Sequence, residues 1–454
     1  MCGAPIAAEG DSCSACGGDL GEAVRRHAED IEQAVRADST RIAREVGLTG
    51  SATDAASPGD RRRRSAVWSR LRPDPLQQLE HATDAFRELF EVDRWLPSRV
   101  GRLGHEPRYC ETLAEFLEPF VAASEGDGGR RERYRQRLQQ EAHSKLPGGI
   151  EGAYFPGRGC FLNGWLFGRR AAARSARLAL GDPEVAPAIF RTAIHEQLGH
   201  GFLTELTAAG AEKKSLHLLR AELASGYALA RPPAAASQAL ADKWDILFRS
   251  SLFLEEGFAT WIERYMLETL RETTAGESDY TSGLADYGVA AVRTKLVAIT
   301  RGRDRTAARA AAVVAAALER VAAGRAEPHE LHRAVVDLQH REEELSAALV
   351  GPLRRELRYV VGTALLSLIE VRCGAACVPY AAAIAAHRTF LDGEHGVGPE
   401  TLARYVDERP EMNLDSRLAR LCRIELRRKG DVAEMARLAR DELGLTPPPS
   451  LLDG

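Results

Sequence analysis

Two histidines and three glutamates carry the densest chemistry in this 454-residue chain. His195, Glu196 and His200 fall in the run Ala193-Ile194-His195-Glu196-Gln197-Leu198-Gly199-His200. Glu255 and Glu256 stand side by side in an otherwise apolar stretch, among Leu252, Phe253, Leu254, Phe258, Trp261 and Ile262. Neutral imidazoles and a carboxylate are an ordinary ligand set for a catalytic zinc ion that keeps one position open. A further carboxylate beside such an ion can take a proton from the water it activates. Burying the glutamate pair without partners would be costly, so the pair calls for a metal or for cationic side chains from neighbouring helices.

Spacing sets a condition on this chemistry. An ideal helix presents positions i and i+4 about 40° apart, but i and i+5 about 140° apart. His195 and His200 are five apart, and can hold one ion only if the helix takes in an extra residue as a π-bulge, a distortion found mostly at functional sites. Gly199, just before the second histidine, is where such a distortion meets least steric resistance. The spacing predicts a bulge at Leu198-Gly199.

The His-Glu-x-x-Gly-His run with a Glu-Glu pair downstream resembles the dipeptidyl peptidase III family, which has the same unusual histidine spacing. Glu256-Gly257-Phe258-Ala259 also looks like the glutamate segment of gluzincin aminopeptidases. The resemblance is confined to these motifs and the residues between them. Phe258 and Thr260 stand where the dipeptidyl peptidase III family has polar and acidic residues, so its dipeptide-releasing specificity is not implied. What the resemblance implies is a divergent gluzincin-type zinc metallopeptidase. In it His195, His200 and Glu256 would hold a catalytic Zn²⁺, and Glu196 would act as general base. Glu255 would accept a hydrogen bond from a ligand histidine and fix its tautomer. Tyr359, followed by a Gly-containing helix, looks like the oxyanion donor of other gluzincins; Tyr380, His329, His332 and Arg372 are the alternatives.

Periodicity supplies the elements that must position these residues. Apolar residues three and four apart predict amphipathic helices over 74–92 and 110–124. The Gly- and aromatic-rich stretch 152–167 predicts a hairpin turning at Pro156-Gly157. Its second strand, Cys160, Phe161, Leu162 and Asn163, is the candidate edge for binding a substrate backbone by strand addition. Asp182-Pro183 opens a helix that carries both histidines to 206. Further helices are expected over 211–230, 240–273, 306–324, 328–348, 352–373, 376–390 and 414–443. The fold class is mainly α with a small β element. A zincin-like metallopeptidase domain would span 66–454: a helical part (66–150), the metal-site core (151–275) and a second helical part (276–454).

Ahead of it, residues 1–20 look like a zinc ribbon lacking part of its first knuckle. Cys13 and Cys16, with Gly17 after them, form one cysteine turn, and Cys2 with Gly3 matches the end of another. The fourth ligand would precede residue 1 or be borrowed from a residue such as His27, giving a second, structural Zn²⁺. Residues 21–65 read as a charged linker ending in the arginine run 61–64. A formal net charge of −4 argues against an electrostatic nucleic-acid binder. No apolar run of about eighteen residues calls for a membrane span, and no secretory leader is visible. Eight cysteines in such a chain read as thiols or metal ligands, so the expected location is cytoplasmic. The expected partners are a peptide or protein substrate and a protein bound through the ribbon. Two other readings fit the same residues: a non-catalytic zinc-ribbon adaptor with a structural metal site, and a metal hydrolase of non-peptide substrates.

Overall fold

The computed structural model describes residues 75–96, 106–122, 150–171, 175–182, 185–225, 246–274, 289–301, 305–322, 325–340, 347–386 and 413–423, with a few isolated positions between them. The ribbon-like segment with Cys2, Cys13 and Cys16, and the linker after it, lie outside the described residues. The chain divides into two compact units. One comprises residues 1–49, 282–327 and 334–356; the other comprises 50–281, 328–333 and 357–454. In the first, helices α10 (Val289–Thr300) and α11 (Arg305–Ala322) pack against each other.

The second unit carries the candidate site. It is mainly helical, with one small sheet. Its elements begin with α1 (Pro75–Leu89), α2 (Val92–Trp95), β1 (Arg108–Cys110) and α3 (Leu113–Ala122). The hairpin follows as β2 (Gly152–Phe155) and β3 (Gly159–Asn163), then α4 (Gly164–Arg170), α5 (Ala176–Ala179) and α6 (Ala186–Ile194). A π-helical turn, His195–His200, leads into α7 (Gly201–Leu206) and α8 (Ala208–Ser225), and α9 (Leu252–Thr274) carries the glutamates. Helices α12 (Pro328–His340) and α13 (Ala347–Cys373) run through both units, and α14 (Cys377–Ala385) and α15 (Leu414–Arg423) complete the described chain. Among the described residues no helix is long and apolar enough to cross a membrane.

The hairpin is antiparallel and turns where expected, with Gly157 at φ 74 and Gly159 at φ 89, backbone angles that favour glycine. The expected edge strand needs correction. β3 lies between β2 and β1, pairing antiparallel with the first and parallel with the second. Cys160, Phe161, Leu162 and Asn163 are all buried, and Phe161, Leu162 and Asn163 have strand partners on both sides. Asn163 instead caps α4, its side chain accepting from the Leu166 N–H. The outer strand on the hairpin side is β2. Glu205 pins it, accepting from the Tyr154 hydroxyl at 3.1 Å, the Gly157 N–H at 3.3 Å and Lys214 at 2.8 Å.

The helices that carry His195, His200 and Glu256 rest on an aromatic cluster. Phe202 meets Phe86 edge-on and packs on Phe258, while Trp261 stacks on Tyr265. Such pairs contribute about 0.5–1.5 kcal/mol each beyond the area they bury. Helix α6 starts at Ala186 rather than at Asp182, whose backbone carbonyl accepts the Ala186 N–H. The start of α9 is held from far along the chain. Asp415, on α15, accepts the Phe253 N–H at 3.1 Å and the Leu254 N–H at 2.7 Å, taking the place of a local N-cap. Burial pushes the Asp415 carboxyl up to about 8, against the pull of those two N–H groups.

Candidate metal centre

The histidine run is π-helical over its full length. The Gly201 N–H reaches back five residues to the Glu196 carbonyl, the π pattern in place of the α pattern. The imidazoles thus share one side, with ring centroids 5.1 Å apart. Gly199 serves this turn through space, not through an unusual φ. A Cβ there would lie 2.4 Å from both Cα and Cβ of Ala259, so the absence of a side chain lets the turn lie directly on α9.

That contact brings Glu256 to the histidines. Its Oε2 lies 3.6 Å from His195 Nε2 and 3.5 Å from His200 Nε2. One ligand atom from each residue falls within 4.8 Å of the others, so the group could hold a metal ion. The spacing fits such an ion: tetrahedral bonds of about 2.0–2.1 Å set ligand atoms about 3.3 Å apart. All three side chains are largely buried. Burial alone would lower the His195 pKa, but the neighbouring Glu256 and Glu263 carboxylates outweigh it and hold the ring up at about 10. His200 is raised for the same reason by Glu256, against its own burial. Glu256, despite a burial effect in the opposite direction, is held well below the usual carboxylate range by the histidines and Arg358. A pocket that favours positive charge this strongly suits a cation.

No family model, curated protein or solved structure is matched by this chain. The reading of the centre rests on its own geometry.

Glu196 lies beside the cluster. The hairpin register turns the Glu151 carbonyl toward β3, where it accepts the Asn163 N–H, so Gly152 and Tyr154 present their backbone groups to the opposite edge. The Tyr154 N–H donates to the Glu196 carboxylate. Gly152 permits this approach, because a Cβ there would lie 2.7 Å from Thr192 Cγ2 and 2.9 Å from Glu196 Cγ. Burial raises the Glu196 pKa, while the two histidines draw it back down.

Glu255 does not orient a histidine. It pairs with Lys213 and accepts from Ser251 at 3.2 Å. Adjacent helical residues point about 100° apart, and here Glu255 turns to Lys213 and Ser251 while Glu256 faces the histidines. The orienting carboxylate is Glu263, 3.1 Å from His195 Nδ1 and seven residues after Glu256 on the same face of α9. With Nδ1–H donated to Glu263, Nε2 keeps its lone pair for a metal. Arg191 supports Glu263 in turn, with Nε at 3.4 Å. Glu263→Ala is expected to weaken metal binding about 10–100-fold with little change in fold. Chelator competition measures this, and an unchanged affinity would deny Glu263 the role.

Tyr359 stands at the pocket, its ring centroid 6.3 Å from that of His195. The other oxyanion candidates have different surroundings. Tyr380 packs edge-on against Trp95, and His332 edge-on against Phe253. His329 shares α12 with His332, and Arg372 lies near the end of α13. Arg358 escaped the sequence reading, yet its Nη1 lies 2.9 Å from Glu256 Oε1. The cue was its position immediately before Tyr359.

Proposed function

We propose that this chain is a zinc-dependent peptidase with a zincin-like domain of gluzincin type. The observation that carries the proposal is the π-helical turn, which sets both imidazoles against Glu256 and leaves Glu196 beside them. His195, His200 and Glu256 would hold Zn²⁺, which when bound polarises water and the substrate carbonyl. Glu196 takes the proton from the attacking water and delivers it to the leaving amine. Tyr359 donates a hydrogen bond to the oxyanion of the tetrahedral intermediate. The scissile peptide bond would lie next to Glu196. The enzyme acts in the cytoplasm on a peptide or protein substrate.

The test uses the full chain with Cys2, Cys13 and Cys16 replaced by serine, so that bound zinc reports on this centre alone. The parent is expected to hold about one zinc per chain, lost in His200→Ala and Glu256→Ala, and to hydrolyse members of a peptide library until a chelator removes the metal. A folded parent without metal overturns the proposal. Bound zinc with no peptide cleavage would leave the adaptor or a non-peptide hydrolase.

A further inference from the structure

The carboxylate of Glu256 has two oxygens with different partners. Oε2 faces the two imidazoles at 3.5 and 3.6 Å, whereas Oε1 meets the Arg358 guanidinium at 2.9 Å. Arg358 is held in turn. Its Nη2 donates to the Tyr359 hydroxyl at 3.0 Å, its guanidinium carbon lies 4.9 Å from the centroid of that ring, and its side chain is only 18% exposed. The backbone fixes this arrangement. Helices α9 and α13 touch at Gly257 and Gly362, where a Cβ on Gly257 would lie 2.4 Å from Gly362 Cα. Glu256 immediately precedes the first glycine, and Arg358 lies one turn before the second. Farther along the same two helices, Glu370 accepts from Trp261 Nε1 at 2.7 Å and pairs with Arg264.

A carboxylate can bind a metal through one oxygen or through both. Two-oxygen binding would consume the position that a hydrolytic centre needs for water. A guanidinium on Oε1 occupies one of that oxygen's two lone pairs and draws on its charge, which favours Oε2 as the ligand.

We infer that Arg358 is a positioning residue of the metal centre, holding Glu256 to one-oxygen coordination and so keeping a position open on the ion. The inference rests on the metal reading above and adds to it the residue that sets the coordination number.

Cobalt(II) is the probe, because its visible absorption is strong in four-coordinate sites and weak in five- or six-coordinate ones, so that geometry is read directly. The protein is again the full chain with serine at positions 2, 13 and 16. The parent is expected to show the strong bands. Arg358→Met frees Oε1 and is expected to lose most of that intensity while still binding cobalt. Arg358→Lys keeps a cationic donor to Oε1 and is expected to restore the bands. A merely structural role for Arg358 would shift the melting curve without changing the spectrum of the folded protein. If Arg358→Met does not fold, Arg358→Gln is read in the same way. A folded Met or Gln variant with the parent spectrum overturns the inference but leaves the metal centre standing. So does a parent spectrum of the weak type. A folded parent that takes up no cobalt overturns the metal reading together with it.

Discussion

Glu196→Gln is expected to keep its metal and to lose about 10²–10⁴-fold in peptide hydrolysis, the range associated with removing a general acid–base group. The geometry explains why the two properties separate. Glu196 is not among the three ligands that converge. Its carboxylate is tied to the Tyr154 N–H on the outer edge of β2. Glutamine preserves the shape and one acceptor oxygen, so the strand contact survives and only the proton acceptor is lost. Zinc content and turnover, measured on one preparation, decide the matter. A variant that keeps both metal and full activity assigns proton transfer elsewhere. One that loses the metal makes Glu196 part of the ligand set.

Gly199→Ala is expected to cost about 1–3 kcal/mol of stability, the usual effect of overpacking a tight contact. The added methyl would sit 2.4 Å from Ala259 Cα and Cβ, and neither atom can rotate away. The turn must lift off α9, and that movement carries His195 and His200 away from Glu256. The same substitution is expected to weaken metal binding. Gly181→Ala is the control, since a Cβ there meets nothing within 4 Å. Denaturant unfolding and chelator competition on both variants check the prediction. Parent-like behaviour of Gly199→Ala in both would mean that the two helices are not in the contact described.

The convergence of His195, His200 and Glu256 could be read in the sequence because the geometry allows few solutions. Two histidines five apart on one helix either miss each other or need a π-turn, and the structure has the π-turn. The hairpin was legible for a similar reason, since Pro156-Gly157 divides two short apolar runs. What stayed hidden depends on distance along the chain. β1 is three residues long and joins β3 from about fifty residues upstream, which no local pattern reveals, so the central strand passed for an edge. Glu263 could have been found by applying the helical period to α9, which excludes Glu255 and selects the glutamate seven positions on. Arg358 left only the cue of its place before Tyr359, because its reach to Glu256 depends on two glycines about a hundred residues apart lying against each other.

The carboxylate that completes the first turn of α9 belongs to residue 415, 161 positions after Leu254. A ribosome that has just finished Glu256 has made every ligand of the metal group but not the residue that finishes the end of the helix bearing it. Arg358 arrives later too, and Asp415 later still. A chain cut short before Asp415 would keep His195, His200 and Glu256 but lack the carboxylate that receives the first N–H groups of α9.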